Sequence, residues 1–214
     1  MPAPRERRFA PSANGTEESS TGGEGVVLST LPEDLAEPTD DGAADHLPGA
    51  RLPALTLPTT TGQIRVDQLG DLAVVFVYPS IGMAPELLAE WTDVPGARGC
   101  TAEACSFRDL RHEFARSGAA VLGLSGQSSV AQASFAERLT LPYPLVSDER
   151  MALAELLELP TFEFHGRSYY KRLTLIVRRE IVCAAIYPVF PPDAAAAQAL
   201  DWLKARRGRR FTKA

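Results

Sequence analysis

The stretch that most limits what this chain can become is Ala73–Tyr78, AVVFVY, an unbroken run of β-branched, aromatic and small apolar residues. A run without alternation fits a strand covered on both faces, which requires packed layers on both sides of a sheet. Pro79 follows, removes a backbone donor and ends the strand. Around this run the pattern alternates. Ala54–Leu57 and Ile64–Val66 read as short strands about a turn-like PTTTGQ, Ala119–Leu124 as a second buried strand, and Leu145–Val146 as a short one. Val130–Leu139 reads as a helix, and Ser147-Asp148 as the cap of a helix running through Leu157. Leu173–Val177 and Ile181–Tyr187 form a hairpin pattern. Ala194–Ala205 closes the order as an amphipathic helix with Leu200, Trp202 and Leu203.

Strands alternating with helices, then a hairpin and a last helix, predict an α/β thioredoxin-like sandwich with a central mixed β-sheet flanked by helices. With 214 residues, 45% hydrophobic and 23% charged, there is material for one buried core. The domain is expected over residues 47–206. Residues 1–46 read as a disordered tail, because SANGTEESSTGGEG lacks the periodic apolar residues that offset ordering entropy. The patch Val26-Val27-Leu28 lies within it, and residues 207–214 read as a basic C-terminal tail. A net charge of -5 argues against nucleic acid or an anionic membrane as the main partner. No apolar run approaches the ~20 residues that span a bilayer, and Met1–Glu24 has no apolar core of a secretory signal. Three cysteines are too few for a secreted disulfide scaffold, and a cytoplasmic protein with a working dithiol is expected.

The segment that carries chemistry is GCTAEACSFRDL, residues 99–110. Thr101–Arg116 has helical spacing, with Ala104, Phe107, Leu110 and Phe114 on one face and Gly118 as its stop. Cys100 thus falls in a first helical turn, where unpaired N–H groups and the helix dipole favour a thiolate. A thiolate that attacks a peroxide becomes a sulfenic acid, which a nearby thiol converts to a disulfide. Cys105 is the thiol closest in sequence. Five residues of helix give ~7.5 Å of rise and roughly 140° of rotation, placing the two Cα atoms more than ~8 Å apart. A disulfide needs about 4.4–6.8 Å, so the helix must open for the pair to close. The same spacing also fits two buried thiols without chemistry. No CxxC occurs and His112 lacks ligand spacing, so neither a metal nor a cofactor is expected.

These residues resemble the active-site motif of peroxiredoxins of the Q (bacterioferritin-comigratory) type, in which a resolving cysteine follows the peroxidatic one by five residues. The resemblance extends to PALTLPTTTGQIRVDQLG, to AVVFVYP and to KRLTLIV, covering roughly residues 50–205. It implies a thioredoxin fold, Cys100 as peroxidatic and Cys105 as resolving residue, and Arg172 as the active-site arginine that stabilises thiolate and peroxide. Glu103 would hold that arginine in place. It also implies reduction of hydrogen peroxide or organic hydroperoxides, with electrons from thioredoxin or a similar dithiol protein, by a monomer or homodimer.

One departure stands out. The family carries Thr or Ser three residues before the peroxidatic cysteine, where this chain has Ala97. Pro79 lies 21 residues before Cys100, so residues 80–99 form an insertion of loop or partial helix. Thr92, Thr101 or backbone N–H groups would then take over the hydroxyl's work. Arg108 is expected either to pair with Glu103 or Asp109 or to lie solvated at the surface, and Cys183 to be an inert core residue. His46, His112 and His165 share no spacing and receive no role. Two other functions fit the pattern less well. A thiol–disulfide oxidoreductase would typically use CxxC, and a redox-sensing or partner-binding module would use the insertion as its interface and turn over little.

Overall fold

The computed structural model describes residue 31 and residues 35–206. In chain order its strands are β1 (Thr56–Thr59), β2 (Gly62–Arg65), β3 (Ala73–Val77), β4 (Ala120–Ser125), β5 (Leu145–Ser147), β6 (Thr161–Phe164), β7 (Arg167–Tyr170), β8 (Leu173–Arg178) and β9 (Ile181–Ile186). The helices are α1 (Leu88–Asp93), α2 (Cys100–Asp109), α3 (Arg111–Arg116), α4 (Ser129–Arg138), α5 (Ala152–Leu157) and α6 (Ala195–Arg206). Seven strands form one mixed sheet in the order β2-β1-β5-β4-β3-β8-β9, while β6 and β7 form a separate hairpin.

The all-apolar run occupies the middle of this sheet. β3 is parallel to β4 on one side and antiparallel to β8 on the other, and every residue in it is buried. Ala73, Val75 and Val77 pack with Leu122, Leu124 and Leu153 on one face. Val74, Phe76 and Tyr78 pack on the other face with Cys100, Phe107 and Leu200, the layer of α2 and α6. Each such side chain taken fully from water contributes ~1.5–3 kcal/mol. This strand therefore fixes both layers at once. The α2 side is so close that a Cβ on Gly123 would meet Leu145 Cδ2 at 2.6 Å and Phe76 Cζ at 2.7 Å.

Three differences from the sequence reading bear on function. The helix expected over Thr101–Arg116 starts at Cys100 and is broken at Leu110, whose ψ of 13° leaves the helical range. The break lets Phe107 and Phe114 stack at 5.5 Å, whereas two unbroken helical turns would separate them by ~10.5 Å of rise. The domain also begins before residue 47. Ala44 is buried, and Asp41 ties residues 35–46 to the body through Lys171 and Tyr187. The segment that follows covers the outer edge of β9, with Gly49 N–H donating to Val182 O (2.8 Å) and Leu52 N–H to Glu180 O (2.7 Å). The Val26-Val27-Leu28 patch and residues 207–214 lie outside the described residues.

The β6–β7 hairpin is a third difference. Alternating Phe162 and Phe164 and the positive φ of His165 and Gly166 at its turn are a hairpin signature. The insertion, read as loop or partial helix, contains a short 3₁₀ turn (Pro85–Leu87) and α1, anchored by buried Trp91. Trp91 packs on Phe162, Phe164 and Tyr169 with ring centroids 5.7, 5.0 and 4.9 Å away. The insertion is thus docked on the hairpin as a second, aromatic core.

Candidate active site

Gly99 sets the start of α2. Its φ of +97° is open to glycine, and a Cβ there would lie 2.6 Å from Pro192 Cγ at the entry to α6. The chain turns sharply on it and delivers Cys100 as the first helical residue, 5% exposed. Arg172, 2% exposed, enters from the start of β8 on the same face as Thr174 and Ile176. Its Nη2 donates to Cys100 Sγ at 3.2 Å, to Arg98 O at 2.9 Å and to Gly96 O at 3.2 Å. Its Nη1 donates to Glu103 Oε2. Glu103, fully buried, sits one turn after Cys100 on the same helical face. Its Oε1 meets no donor among the described residues. The sequence-derived trio of Cys100, Glu103 and Arg172 is therefore brought into contact.

One cation serves two acids here. Burial pushes Glu103 up to about 7, and the attraction of Arg172 recovers only part of that rise. Burial also pushes the Cys100 thiol up. Arg172 pulls it back, Glu103 adds to the rise, and a hydrogen bond from the Ser80 backbone N–H lowers it. The expected depression by the helix start is outweighed by this burial. Arg172 keeps its proton firmly: burial disfavours its charge, but Cys100 and Glu103 together more than compensate. The charge-balanced states therefore carry one anion, either a Glu103 carboxylate beside a thiol or a Cys100 thiolate beside a neutral Glu103.

Cys105 lies farther along α2, buried in the same layer, and no disulfide joins the cysteines. Tyr143 braces the turn between the two cysteines, its hydroxyl donating to Ala104 O at 2.6 Å. Arg108 pairs with Asp109 at 2.8 Å and donates to Leu139 O at 3.0 Å, so of its two expected partners it takes Asp109. Thr92 is engaged in its own helix, donating to Leu88 O at 2.7 Å, and does not supply the missing hydroxyl. Thr101 does line the cavity beside Cys100. The backbone group that lowers the thiol pKa is that of Ser80, which the sequence reading covered only as unspecified backbone N–H. The carbonyls of Gly96 and Arg98, also unforeseen, complete the cradle of Arg172. Cys183 is not in the core: it is the extra residue of a β-bulge in β9 and is half-buried.

A cavity of about 210 Å³ opens beside Cys100, lined among others by Ser80, Ile81, Met83, Leu88 and Trp91. A small substrate entering it meets the Cys100 sulfur and Ser80 among the side chains of Ile81, Met83, Leu88 and Trp91, while the buried Arg172 guanidinium reaches the sulfur from outside the cavity lining. His46 holds Leu157 O at 3.0 Å and His165 holds Glu90 at 2.8 Å, both away from this site. Among the described residues no group of three or more His, Cys, Asp or Glu is placed to hold a metal. No helix among them is long and apolar enough to cross a membrane.

The AhpC/TSA family model matches residues 48–185. A putative peroxiredoxin bcp of Coxiella burnetii is 31% identical over 160 residues, covering 72% of this chain and 97% of that protein. A chloroplastic peroxiredoxin Q of Suaeda salsa is 35% identical over 103 residues, 47% of this chain and 42% of its own length. The crystal structure of the peroxidoxin BcpB from Mycobacterium tuberculosis superposes with a TM-score of 0.61 at 34% identity, covering 75% of this chain and 97% of that one. The thioredoxin-like sandwich read from the order of elements is the fold of these neighbours. With the family model matched over more than half its length, the chain belongs to the AhpC/TSA family and resembles the peroxiredoxins named bcp and Q.

Proposed function

We propose that this protein is a thiol-dependent peroxidase that reduces hydrogen peroxide or organic hydroperoxides. The observation that carries the reading is the 3.2 Å contact between a buried, charged Arg172 and the sulfur of Cys100, a residue that lines an open cavity. When Glu103 holds the proton, the charge of Arg172 is left to Cys100, and the thiolate attacks the terminal peroxide oxygen. The O–O bond breaks, the leaving oxygen takes a proton to give an alcohol or water, and the sulfur becomes a sulfenic acid. Arg172 and the Ser80 N–H stabilise charge on the sulfur and on the oxygens as that bond breaks. Glu103 acts as the positioning residue for Arg172.

Cys105 then attacks the sulfenic sulfur, a disulfide forms and water leaves. Helical geometry requires the start of α2 to unwind for this step. A thioredoxin-like dithiol protein returns both thiols. We place the work in the cytoplasm, where such reductants keep thiols reduced. The test is peroxide consumption per enzyme with and without a thioredoxin system. Many turnovers are expected with it, and about one equivalent without. Cys105→Ser should consume the first equivalent and then stall or proceed to sulfinic acid, read by mass spectrometry. A disulfide from Cys100 to Cys183 in the unmodified protein would overturn the choice of partner.

A further inference from the structure

Before β1 the chain crosses behind the segment that leads into Cys100. Residues 35–41 form a strap there. Ala36 O accepts the Gly96 N–H at 3.1 Å. Pro38 lies against Gly96, where a Cβ would come within 3.4 Å of its ring. Beyond these contacts the two segments part, leaving a cavity of about 200 Å³ bounded by Pro38, Thr39, Val94 and Tyr187 that reaches Arg172. The strap therefore does not hold the segment by close packing. Its far end is fastened instead, at Asp41, which accepts from Lys171 Nζ at 2.5 Å and from the Tyr187 hydroxyl at 2.7 Å.

The segment it holds is the one that has to move. Gly96 O and Arg98 O bind Arg172, and Gly99 launches α2, so residues 96–99 are pinned from the front by the active site and from behind by the strap. We propose that the strap is a latch on the peroxidatic turn, with Asp41 as its fastening residue, and that it sets how long oxidised Cys100 stays in the closed form. This rests on the reading of Cys100 and Cys105 as the reacting pair. The sulfenic acid has two exits. Attack by Cys105 forms S–S and releases water, and needs the open turn. Attack on a second hydroperoxide forms sulfinic acid and releases an alcohol or water, and proceeds in the closed turn. A tighter latch favours the second exit, so Asp41 acts on the partition between them without touching substrate.

The test uses the full chain with Asp41→Ala, and Tyr187→Phe as a milder variant that removes one of the two fastenings. Exchange of the Gly96 amide in the reduced protein should quicken in both. Disulfide formation after one equivalent of peroxide should quicken about two- to fivefold in Asp41→Ala, the scale of an exposed ion pair acting on a closed–open equilibrium. The peroxide concentration giving half sulfinic acid should rise by the same factor, while the first oxidation step stays within twofold. A merely structural role for Asp41 would leave that partition unmoved. Unchanged Gly96 exchange, or an unchanged or slower disulfide step, overturns the latch. If the unmodified protein forms no Cys100–Cys105 disulfide, the pairing itself fails, and Gly96 exchange in the reduced form still decides whether Asp41 holds the turn.

Discussion

Cys100 and Cys183 are the same side chain in opposite settings. Cys100 begins a ten-residue helix on a glycine turn, buried, with a guanidinium at 3.2 Å and a cavity before it. Cys183 is the unpaired residue of a bulge near the sheet edge, half-buried, and its sulfur meets the carbonyl of Ile181 at 3.7 Å. Exposure alone would favour Cys183 as the reactive thiol, since peroxide reaches it more easily. The electrostatic surroundings favour Cys100, because a thiolate and a developing oxyanion need a fixed cation more than they need open access. The lesson is that a reactive cysteine is recognised by what surrounds its sulfur.

That contrast can be broken most directly at Cys100. Cys100→Ser should lower peroxide turnover by more than about three orders of magnitude, as loss of a nucleophile does. Substantial activity in a steady-state peroxide assay would move the chemistry to another thiol. Arg172→Met should slow the first oxidation by about 10²–10³, the scale of removing one preorganised donor, and should shift Cys100 alkylation to higher pH. An unchanged alkylation profile would return Arg172 to a structural role.

Glu103→Gln sharpens the comparison, because it removes the anion that competes with Cys100 for Arg172. The alkylation profile of Cys100 should move to lower pH, opposite to the Arg172 variant. Stability should respond as well. The carboxyl titrates at about 7 when folded against an ordinary 4.5, so the folded protein binds the extra proton. Its contribution is present below about pH 4.5 and lost as pH rises through 7. Denaturant melts of Glu103→Gln should therefore lack the part of the stability decline that the native protein shows across that window. Cys183→Ser should have the smallest effect, leaving turnover within about twofold, since its half-buried sulfur supports no catalytic contact. A tenfold loss there would erase the contrast between the two cysteines.

Much of the site was legible beforehand, because its signals are local. The spacing of Cys100 and Cys105, the β3 run that fixes the layers, and the motif around Arg172 are all contiguous stretches whose periodicity or resemblance carries the inference. Glu103 follows from its place on the same helical turn. By itself the sequence determined an α/β sandwich, a sheet packed on both faces, with a thiol at a helix start, since a strand buried on both faces and helical apolar spacing act through covalent geometry and burial within a few residues. Only the tertiary structure decided the rest. The Ser80 amide, the carbonyls of Gly96 and Arg98, the division of Arg172 between two acids and the strap fastened at Asp41 join residues up to 146 positions apart. Such contacts leave no periodic trace, because backbone donors and acceptors are the same in every residue and only packing decides which of them meet.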